Sequence, residues 1–201
     1  MKNLFLLAAI ILTAKAFAIL PGEKAPSFTL KNHEGKNVSL DDFKGKYVVL
    51  EWYNEGCPFV RKHYDATNMQ TVQDKSLKEK IKENVAWLTI NSSAKGKQGH
   101  IANSKEAFKT MKKENMLSTH LLLDSDGVVG RAYQAKTTPH MYIINPAGKL
   151  VYNGAIDNNP SPNPAVIPSS KNYILSAIMD IKNGREIASA KTKPYGCSVK
   201  Y

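Results

Sequence analysis

Short apolar runs alternate with segments of helical periodicity along most of the chain. The runs at 47–50, 85–90 and 120–123 predict buried strands, because each is a few residues long and bounded by polar or turn-forming residues. Two more apolar runs, within 137–145 and 150–154, flank a Pro-Ala-Gly-Lys turn and predict a hairpin. The pattern therefore predicts a sheet that closes with an antiparallel pair.

Helical spacing of apolar residues fills the intervals between these strands. After the first strand, the pattern predicts a helix that opens at Cys57-Pro58 and a second or continuing helix to about Glu83. Further helices are predicted over 103–115 and, shorter, over 128–133. The clearest amphipathic helix covers 169–183, and its apolar face consists of Tyr173, Ile174, Ala177, Ile178 and Ile181.

The first eighteen residues have the layout of a secretory signal peptide. Lys2 precedes the apolar run 4–12, and Ala16-Phe17-Ala18 offers small residues at the two recognition positions, with cleavage after Ala18. The run is too short for an ordinary membrane-spanning helix, and an uncleaved membrane anchor is the alternative. We expect 1–18 to be a signal peptide, 19–201 a single domain, and the protein to be exported to the periplasm.

The domain begins with a predicted β-hairpin formed by 27–30 and 37–40. Strands and helices then alternate as far as the final hairpin and the helix over 169–183. This order predicts an α/β fold with a central mixed β-sheet, parallel at first and antiparallel at its end, flanked by helices. Residues 185–201 follow as a cysteine-containing C-terminal tail, which we expect to be mobile.

The chain is strongly basic, with a formal net charge of +11, but its lysines are scattered over predicted helix faces. No basic stripe is interleaved with aromatic residues, so nucleic acid is not predicted as a partner. The candidate chemistry lies instead in two cysteines, Cys57 and Cys197.

Cys57 lies where the first strand of the alternating region gives way to a helix. A cysteine at a helix N-terminus faces unpaired backbone N–H groups and the positive end of the helix dipole, which lowers the thiol pKa. Arg61 and His63 follow on the same helix and add positive potential. The pattern predicts a reactive thiol, and the alternative is a buried, inert cysteine that packs like a small hydrophobic residue.

Cys197 offers a disulfide partner for Cys57, since paired cysteines in an exported protein favour a bridge. Closing so long a loop is worth about 4–5 kcal/mol on the chain-entropy model, so a purely structural bridge is one interpretation. A bridge between a helix-terminal thiol and a mobile tail is, in contrast, typical of a bond that forms and breaks. The sequence leaves both interpretations open.

These motifs resemble the thioredoxin-like superfamily. They are more closely similar to its redoxin branch, the alkyl hydroperoxide reductase/thiol-specific antioxidant and thioredoxin-like thiol–disulfide proteins. The resemblance covers roughly 21–182 and rests on Glu-Trp-Tyr-Asn-Glu-Gly-Cys-Pro at 51–58, on Thr138-Pro139 and on the hairpin sequence 141–152. It implies a thioredoxin-like fold, and no cofactor is expected.

The resemblance also implies a role for each matching residue. Cys57 takes the place of the nucleophilic cysteine, and Thr138-Pro139 the place of a cis-proline beside that sulfur. Glu51 takes the place of the buried acid that moves a proton in thioredoxins, the alternative being an ordinary charged residue at a strand end. The expected substrate-binding residues are Trp52, Pro58, Thr138 and Pro139.

The chain departs from the pattern of both branches. Val60 stands where thioredoxins carry a second cysteine, so the Cys-x-x-Cys dithiol is absent. Leu50 and Asn54 stand where peroxiredoxins carry the proline and the hydroxyl residue of the peroxide site. Pro139 stands where peroxiredoxins carry the arginine that also binds the peroxide, at the start of a later strand. We expect Asn54 to hydrogen-bond an oxygen and Arg61 or Arg131 to replace that arginine.

Together these features predict a thiol-dependent oxidoreductase and antioxidant protein. Cys57 is expected to attack a peroxide or a protein disulfide, Cys197 to resolve the product, and an external thiol reductant to reset the pair. The alternative is a redox-inert thioredoxin-fold binding module that is braced by a Cys57–Cys197 disulfide and holds a peptide in the cis-proline groove. A copper-handling protein would need Cys57, His63 and His140 to meet, but it would lack that group's paired cysteines, and no metal site is expected.

Overall fold

The computed structural model describes residues 19–79 and 84–201. The predicted signal peptide over 1–18 lies outside the described residues, as does the predicted end of the second helix near Glu83. Within the described ranges, no helix combines the length and the apolar character needed to cross a membrane.

A mixed seven-stranded sheet forms the centre of the described molecule, with the order β2-β1-β5-β4-β3-β7-β8. Parallel pairing joins β3 to β4 and β4 to β5, whereas β7 and β8 are antiparallel, as the sequence pattern predicts. Two short strands, β6 and β9, form a separate antiparallel pair. The strands are β1 (Thr29–Asn32), β2 (Asn37–Ser39), β3 (Tyr47–Trp52), β4 (Val85–Asn91), β5 (His120–Leu123), β6 (Thr137–Thr138), β7 (His140–Ile144), β8 (Leu150–Gly154) and β9 (Cys197–Ser198).

Helices cover both faces of this sheet, so each central strand is buried on both sides. The side chains of such a strand alternate between two cores. Val49 of β3 and Tyr53, directly after the strand, join the core that packs against α1, α2 and α5, and Cys57 lies in that core. Val48 and Trp52 of β3 join the opposite core, which packs against α4. The helices are α1 (Pro58–Asp65), α2 (Asn68–Lys78), α3 (Ser104–Lys113), α4 (Val128–Ala132) and α5 (Tyr173–Lys182).

The last helix begins later than its apolar periodicity predicts. Residues 164–169 form a 3-10 segment with a proline inside it. α5 then starts at Tyr173, and the side chain of its N-cap, Asn172, accepts a hydrogen bond from the backbone N–H of Leu175. The cap and the prolines set the boundary. The prediction missed it because neither feature changes the apolar spacing on which it relied.

The C-terminal tail is docked on the domain, which corrects the expectation of a mobile segment. Backbone bonds join Thr192 to Asn153 of β8, and Val199 to Lys136 just before β6. Ala94, in the loop after β4, donates to the carbonyl of Lys200. These contacts are backbone hydrogen bonds, which almost any residue type can make. The amino-acid composition of the tail therefore did not predict that it docks.

Candidate active site

Cys57 occupies the N-cap position of α1, directly before Pro58 in the first turn. The loop after β3 places it there, because the backbone N–H of Cys57 donates to the carbonyl of Asn54 at 3.1 Å. Pro58 is exposed next to it, and its missing N–H costs nothing at this position. Cys57 itself is 0% exposed. Helix and loop thus hold a fully covered thiol at the positive end of a helix.

The Thr138-Pro139 peptide bond is cis, as the resemblance implies. The Cys57 thiol donates a hydrogen bond to the Thr138 carbonyl, with a Sγ–O distance of 3.0 Å. Although the two residues are 81 positions apart, the folded chain brings the cysteine and the cis-proline segment into direct contact.

Cys197 lies on the same segment from the other side. It belongs to β9, which pairs antiparallel with β6 so that Cys197 is opposite Thr138. Gly196 precedes it with a φ of +135°, and a Cβ atom there would lie 2.1 Å from the Thr138 carbonyl oxygen. Both cysteines are free thiols, Cys57 buried and Cys197 half-buried. The structure therefore brings the two predicted reactive sulfurs to one place.

The surroundings separate the acidities of the two thiols. Burial raises the pKa of Cys57, but hydrogen bonds from the Cys197 thiol, the Thr138 side chain and the N–H groups of Cys197 and Val60 outweigh it, so the net pKa is lowered. The pKa of Cys197 is raised to about 11, first by burial and then by the neighbouring Cys57 sulfur. Cys57 is the thiol that ionises first.

The Thr138 hydroxyl is a second polar group at this point. Its oxygen is buried and has no hydrogen-bond partner among the described residues while Cys57 is a thiol. Once the sulfur is ionised, this hydroxyl donates to it, which is why the Thr138 side chain lowers the Cys57 pKa.

Glu51 is fully buried on the β3 face that belongs to the Cys57 core. Burial raises the pKa of this carboxyl, and four hydrogen bonds to the carboxylate oppose the shift. The four donors are Tyr64 Oη at 2.8 Å, Trp87 Nε1 at 2.8 Å, Gln73 Nε2 at 3.2 Å and Thr89 Oγ1 at 3.2 Å. Its predicted proton-transfer role stays a prediction, and its full burial with four donors is unlike the alternative, an ordinary charged residue at a strand end.

Asn54 organises the loop before Cys57. Its amide nitrogen donates to Ser93 Oγ and to the carbonyl of Gln98, and its amide oxygen accepts from the Gly56 N–H at 2.9 Å. The expected hydrogen bond from Asn54 to a substrate oxygen does not fit this geometry, because the amide is engaged within the protein. The polar loop after β4 lies near the site, and Asn54 connects it to the cysteine loop.

Trp52 does not fit its expected role in substrate binding. The residue is 0% exposed, and its indole N–H donates to Ser92 Oγ at 3.0 Å. Because side chains alternate along β3, Trp52 lies in the core on the opposite side of the sheet from Cys57.

Arg61 is engaged in an ion pair away from the sulfur. Its guanidinium makes a two-point contact with Glu114, at 2.9 and 2.7 Å, and it also pairs with Asp65. Arg131 instead stacks over the ring of Tyr201 with a distance of 4.6 Å. Neither expected cation is directed at Cys57, because the buried carboxylate of Glu114 binds the first and the Tyr201 ring packs against the second.

The two histidines of the copper interpretation are directed elsewhere. His63 contacts Asn68 and Tyr195, and His140 contacts Asn153 and the Lys136 N–H. Within residues 19–79 and 84–201, no group of three or more His, Cys, Asp or Glu side chains is arranged to hold a metal ion.

Four residues of the site were missed by sequence reasoning. Tyr195 and Gly196 dock the tail, and Lys62 and Asp157 form a buried ion pair beneath Tyr195. The sequence signal that could have revealed the docked tail is the aromatic residue and the glycine directly before Cys197. A glycine allows the backbone to pass close to another segment of the same chain.

Comparisons with known proteins place these features in a family. The model of the AhpC/TSA family matches residues 21–153. The thiol-disulfide oxidoreductase ResA of Bacillus subtilis (strain 168) is 29% identical over 134 residues, which are 67% of this chain and 66% of ResA. Peroxiredoxin Bcp of the same organism is 34% identical over 86 residues, covering 34% of this chain and 55% of that protein. The chain thus spans 66% and 55% of the lengths of these two relatives.

A solved structure shares the fold. The thioredoxin domain of thiol-disulfide oxidoreductase BVU-2223 from Bacteroides vulgatus superposes with a TM-score of 0.54 at 20% identity, covering 76% of this chain and 98% of that domain. The predicted thioredoxin-like fold is therefore confirmed. Since the family model matches well over half of the residues and includes Cys57 and the cis-proline, the chain belongs to the AhpC/TSA family.

Proposed function

We propose that the protein is an exported thiol-dependent oxidoreductase that reduces a small hydroperoxide through Cys57 and Cys197. The observation that carries this proposal is the register of β6 and β9, which sets Cys197 opposite Thr138 while Cys57 donates to the carbonyl of that same threonine. The export part rests on residues 1–18, whose sequence has the layout of a signal peptide.

The reaction balances with two thiols and one external reductant. The Cys57 thiolate attacks the peroxide, the O–O bond breaks, and the sulfur becomes a sulfenic acid while the leaving oxygen takes a proton to give an alcohol or water. The Cys197 thiol then attacks the sulfenic acid, forming the Cys57–Cys197 disulfide and releasing water. Two external thiols reduce that disulfide and leave as their own disulfide.

The burial of Cys57 favours a small oxidant over a protein disulfide. The sulfur is 0% exposed with the tail docked, so a polypeptide substrate must displace the tail, whereas a hydroperoxide needs a far smaller opening. The Thr138 hydroxyl supplies one donor for the peroxide oxygen.

A second candidate function, thiol–disulfide exchange, is favoured by the exposure of Cys197. Cys197 is the half-buried residue of the two, so in the oxidised pair an external thiol attacks there and expels the Cys57 thiolate. Cys57 has the lower pKa and is therefore the better leaving group. The same attack is the reset step of the peroxide cycle, so the two functions share one site.

The test is to treat the reduced protein, residues 19–201, with hydrogen peroxide and to follow it by intact mass. We expect rapid loss of two hydrogen atoms in the wild type, stable sulfenic or higher oxidation states in Cys197→Ser, and no reaction in Cys57→Ser. A redox titration of the Cys57–Cys197 disulfide then distinguishes a catalytic bond from a structural one.

A potential in the range of catalytic disulfides supports turnover. A bond that forms but stays oxidised below roughly −300 mV would instead support the binding module with a structural bridge. Equal peroxide turnover by wild type and Cys197→Ser would contradict the two-cysteine cycle.

A further inference from the structure

The tail carries a tyrosine whose hydroxyl group enters a buried ionic cluster. The Tyr195 hydroxyl donates to Asp157 Oδ1 and accepts from Lys62 Nζ at 3.3 Å, and His63 Nε2 lies 3.4 Å away. The Lys62 and Asp157 side chains are 0% and 3% exposed, and their charged atoms are 3.1 Å apart. Lys62 also donates to the carbonyl of Asn159 at 2.9 Å.

This cluster costs free energy that an apolar contact would not. A buried ion pair loses the hydration of both charges, and well-packed apolar residues of similar volume are often at least as stabilising. What the charges add is direction, since a phenol hydroxyl between a carboxylate and an ammonium group has one favourable position. The edge of the Tyr195 ring against Phe59, with centroids 5.7 Å apart, fixes its remaining freedom.

The cluster joins the two halves of the thiol pair. Lys62 and His63 belong to α1, the helix that Cys57 caps, and Tyr195 is two residues before Cys197. The connecting residue, Gly196, passes so close to the Thr138 carbonyl that the chain has no room for a side chain there. The position of Tyr195 therefore determines where the Cys197 sulfur lies relative to Cys57.

A second tyrosine holds the other end of the tail. The Tyr201 hydroxyl donates to the carbonyl of Ala135 at 2.8 Å, and its ring lies under Arg131. Cys197 is thus held from both sides, and its sulfur is in place before any oxidation occurs.

We propose that Tyr195 is a positioning residue for the resolving step, anchored by Lys62 and Asp157 so that Cys197 reaches the Cys57 sulfenic acid before a second oxidant does. This inference rests on the proposed function. The competing reaction is attack of the sulfenic acid on a second hydroperoxide, which gives a sulfinic acid and an alcohol or water. Positioning therefore controls the ratio of disulfide to sulfinic acid.

The test compares Tyr195→Phe with the wild type and with Tyr133→Phe over a series of hydrogen peroxide concentrations, read by intact mass and peptide mapping. Tyr195→Phe keeps the ring and removes only the hydroxyl. Tyr133→Phe is the matched control, because it removes a hydroxyl that donates to Pro26 from the core on the other side of the sheet. Asp157→Asn keeps an acceptor oxygen for this hydroxyl but removes the negative charge, so it weakens the same bond from its acceptor side.

We expect Tyr195→Phe to raise the ratio of Cys57 sulfinic acid to disulfide by about tenfold, in line with a lost hydrogen bond to a charged group, and Asp157→Asn to raise it by a smaller factor. Tyr133→Phe should keep the wild-type ratio, even though its unfolding midpoint falls. A wild-type ratio in a folded Tyr195→Phe would overturn the positioning role and leave the proposed function intact. Failure of the wild type to form any disulfide would overturn both.

Discussion

At the residue scale, the two sulfurs differ in the protonation state that their surroundings stabilise. Cys57 receives hydrogen bonds from its partner thiol and from N–H groups, while Cys197 faces the Cys57 sulfur and loses hydration. The thiolate is the reactive form, so this difference supports the proposal that Cys57 is the nucleophile and Cys197 the later, protonated partner.

The first prediction concerns the alkylation of the two thiols as a function of pH. In the Cys57→Ser variant, Cys197 should ionise at a lower pH than the wild-type value of about 11, because the Cys57 sulfur is one cause of the raised pKa. In Cys197→Ala, the Cys57 pKa should rise, because the side-chain hydrogen bond from residue 197, its largest lowering influence, is removed. Rates of iodoacetamide labelling against pH measure both, and unshifted profiles would show that the sulfurs do not interact.

The roles of single residues were predictable only where chemistry follows from the chain itself. The N-cap position of Cys57 follows from a strand, a turn and Cys-Pro, and the structure has it there. The side-chain directions of Asn54, Arg61 and Trp52 depend on which partners the fold brings near them, and these differ from the expectations.

At the element scale, the β6–β9 pair is the smallest piece of secondary structure and the one that assembles the site. It joins the cis-proline segment to a tail more than fifty residues further along the chain. Two residue pairs cannot form a stable sheet alone, so the pair depends on the tyrosine contacts at either end.

The second prediction tests this pair through Gly196→Ala. A Cβ atom at Gly196 meets the Thr138 carbonyl at 2.1 Å, and the φ of +135° is unfavourable for alanine, so β9 should lift away from β6. We expect slower disulfide formation after peroxide treatment and increased protease cleavage in 185–201. Gly148→Ala is the control, because it shares a positive φ but nothing lies within 4 Å of the added atom.

Gly148→Ala should lose about 1 kcal/mol of folding free energy and leave disulfide formation unchanged. Equal disulfide rates in Gly196→Ala and the wild type would show that the close approach of the tail to Thr138 is not needed. The comparison separates backbone strain, which both variants have, from the clash, which only one has.

At the scale of the whole molecule, two buried histidines link folding to pH. Burial lowers the pKa of both His63 and His140 to about 4, against an ordinary value near 6.5. The hydrogen bonds of their rings fit the neutral form, because Asn68 and the Lys136 N–H each donate to a ring nitrogen.

The third prediction is loss of stability on acidification. A depressed histidine pKa means that the unfolded chain binds a proton first, so the contribution is present above about pH 6.5 and is lost as the pH falls towards 4. At pH 5 each histidine should cost about 2 kcal/mol of unfolding free energy relative to pH 7.5. Urea unfolding at both pH values measures the difference.

The matched variant for this measurement is His63→Asn, in which the difference between the two pH values should shrink by the share of one histidine. Glu51 acts in the opposite direction, since its raised pKa makes the folded state bind a proton more readily, but it is common to both proteins. An unchanged difference in His63→Asn would show that His63 takes up its proton equally in the folded and unfolded states.

The order of elements was predictable at this scale because apolar periodicity is a local property. The runs that predict β3, β4, β5, β7 and β8 each coincide with an observed strand, and the parallel and antiparallel pairings follow from the lengths of their connections. The docked tail was not predictable, because backbone bonds to a distant strand leave no periodic pattern in its sequence.

The sequence by itself determined the thioredoxin-like α/β order, the cysteine at the start of α1 and the cis-proline, since each depends on neighbouring residues or on a motif. The tertiary structure alone decided that Cys197 lies at the Cys57 site, that Tyr195 enters a buried ion pair and that Asn54 and Arg61 are engaged elsewhere. These facts depend on contacts between residues far apart in the chain, and such contacts form only when loops and termini settle on a folded sheet.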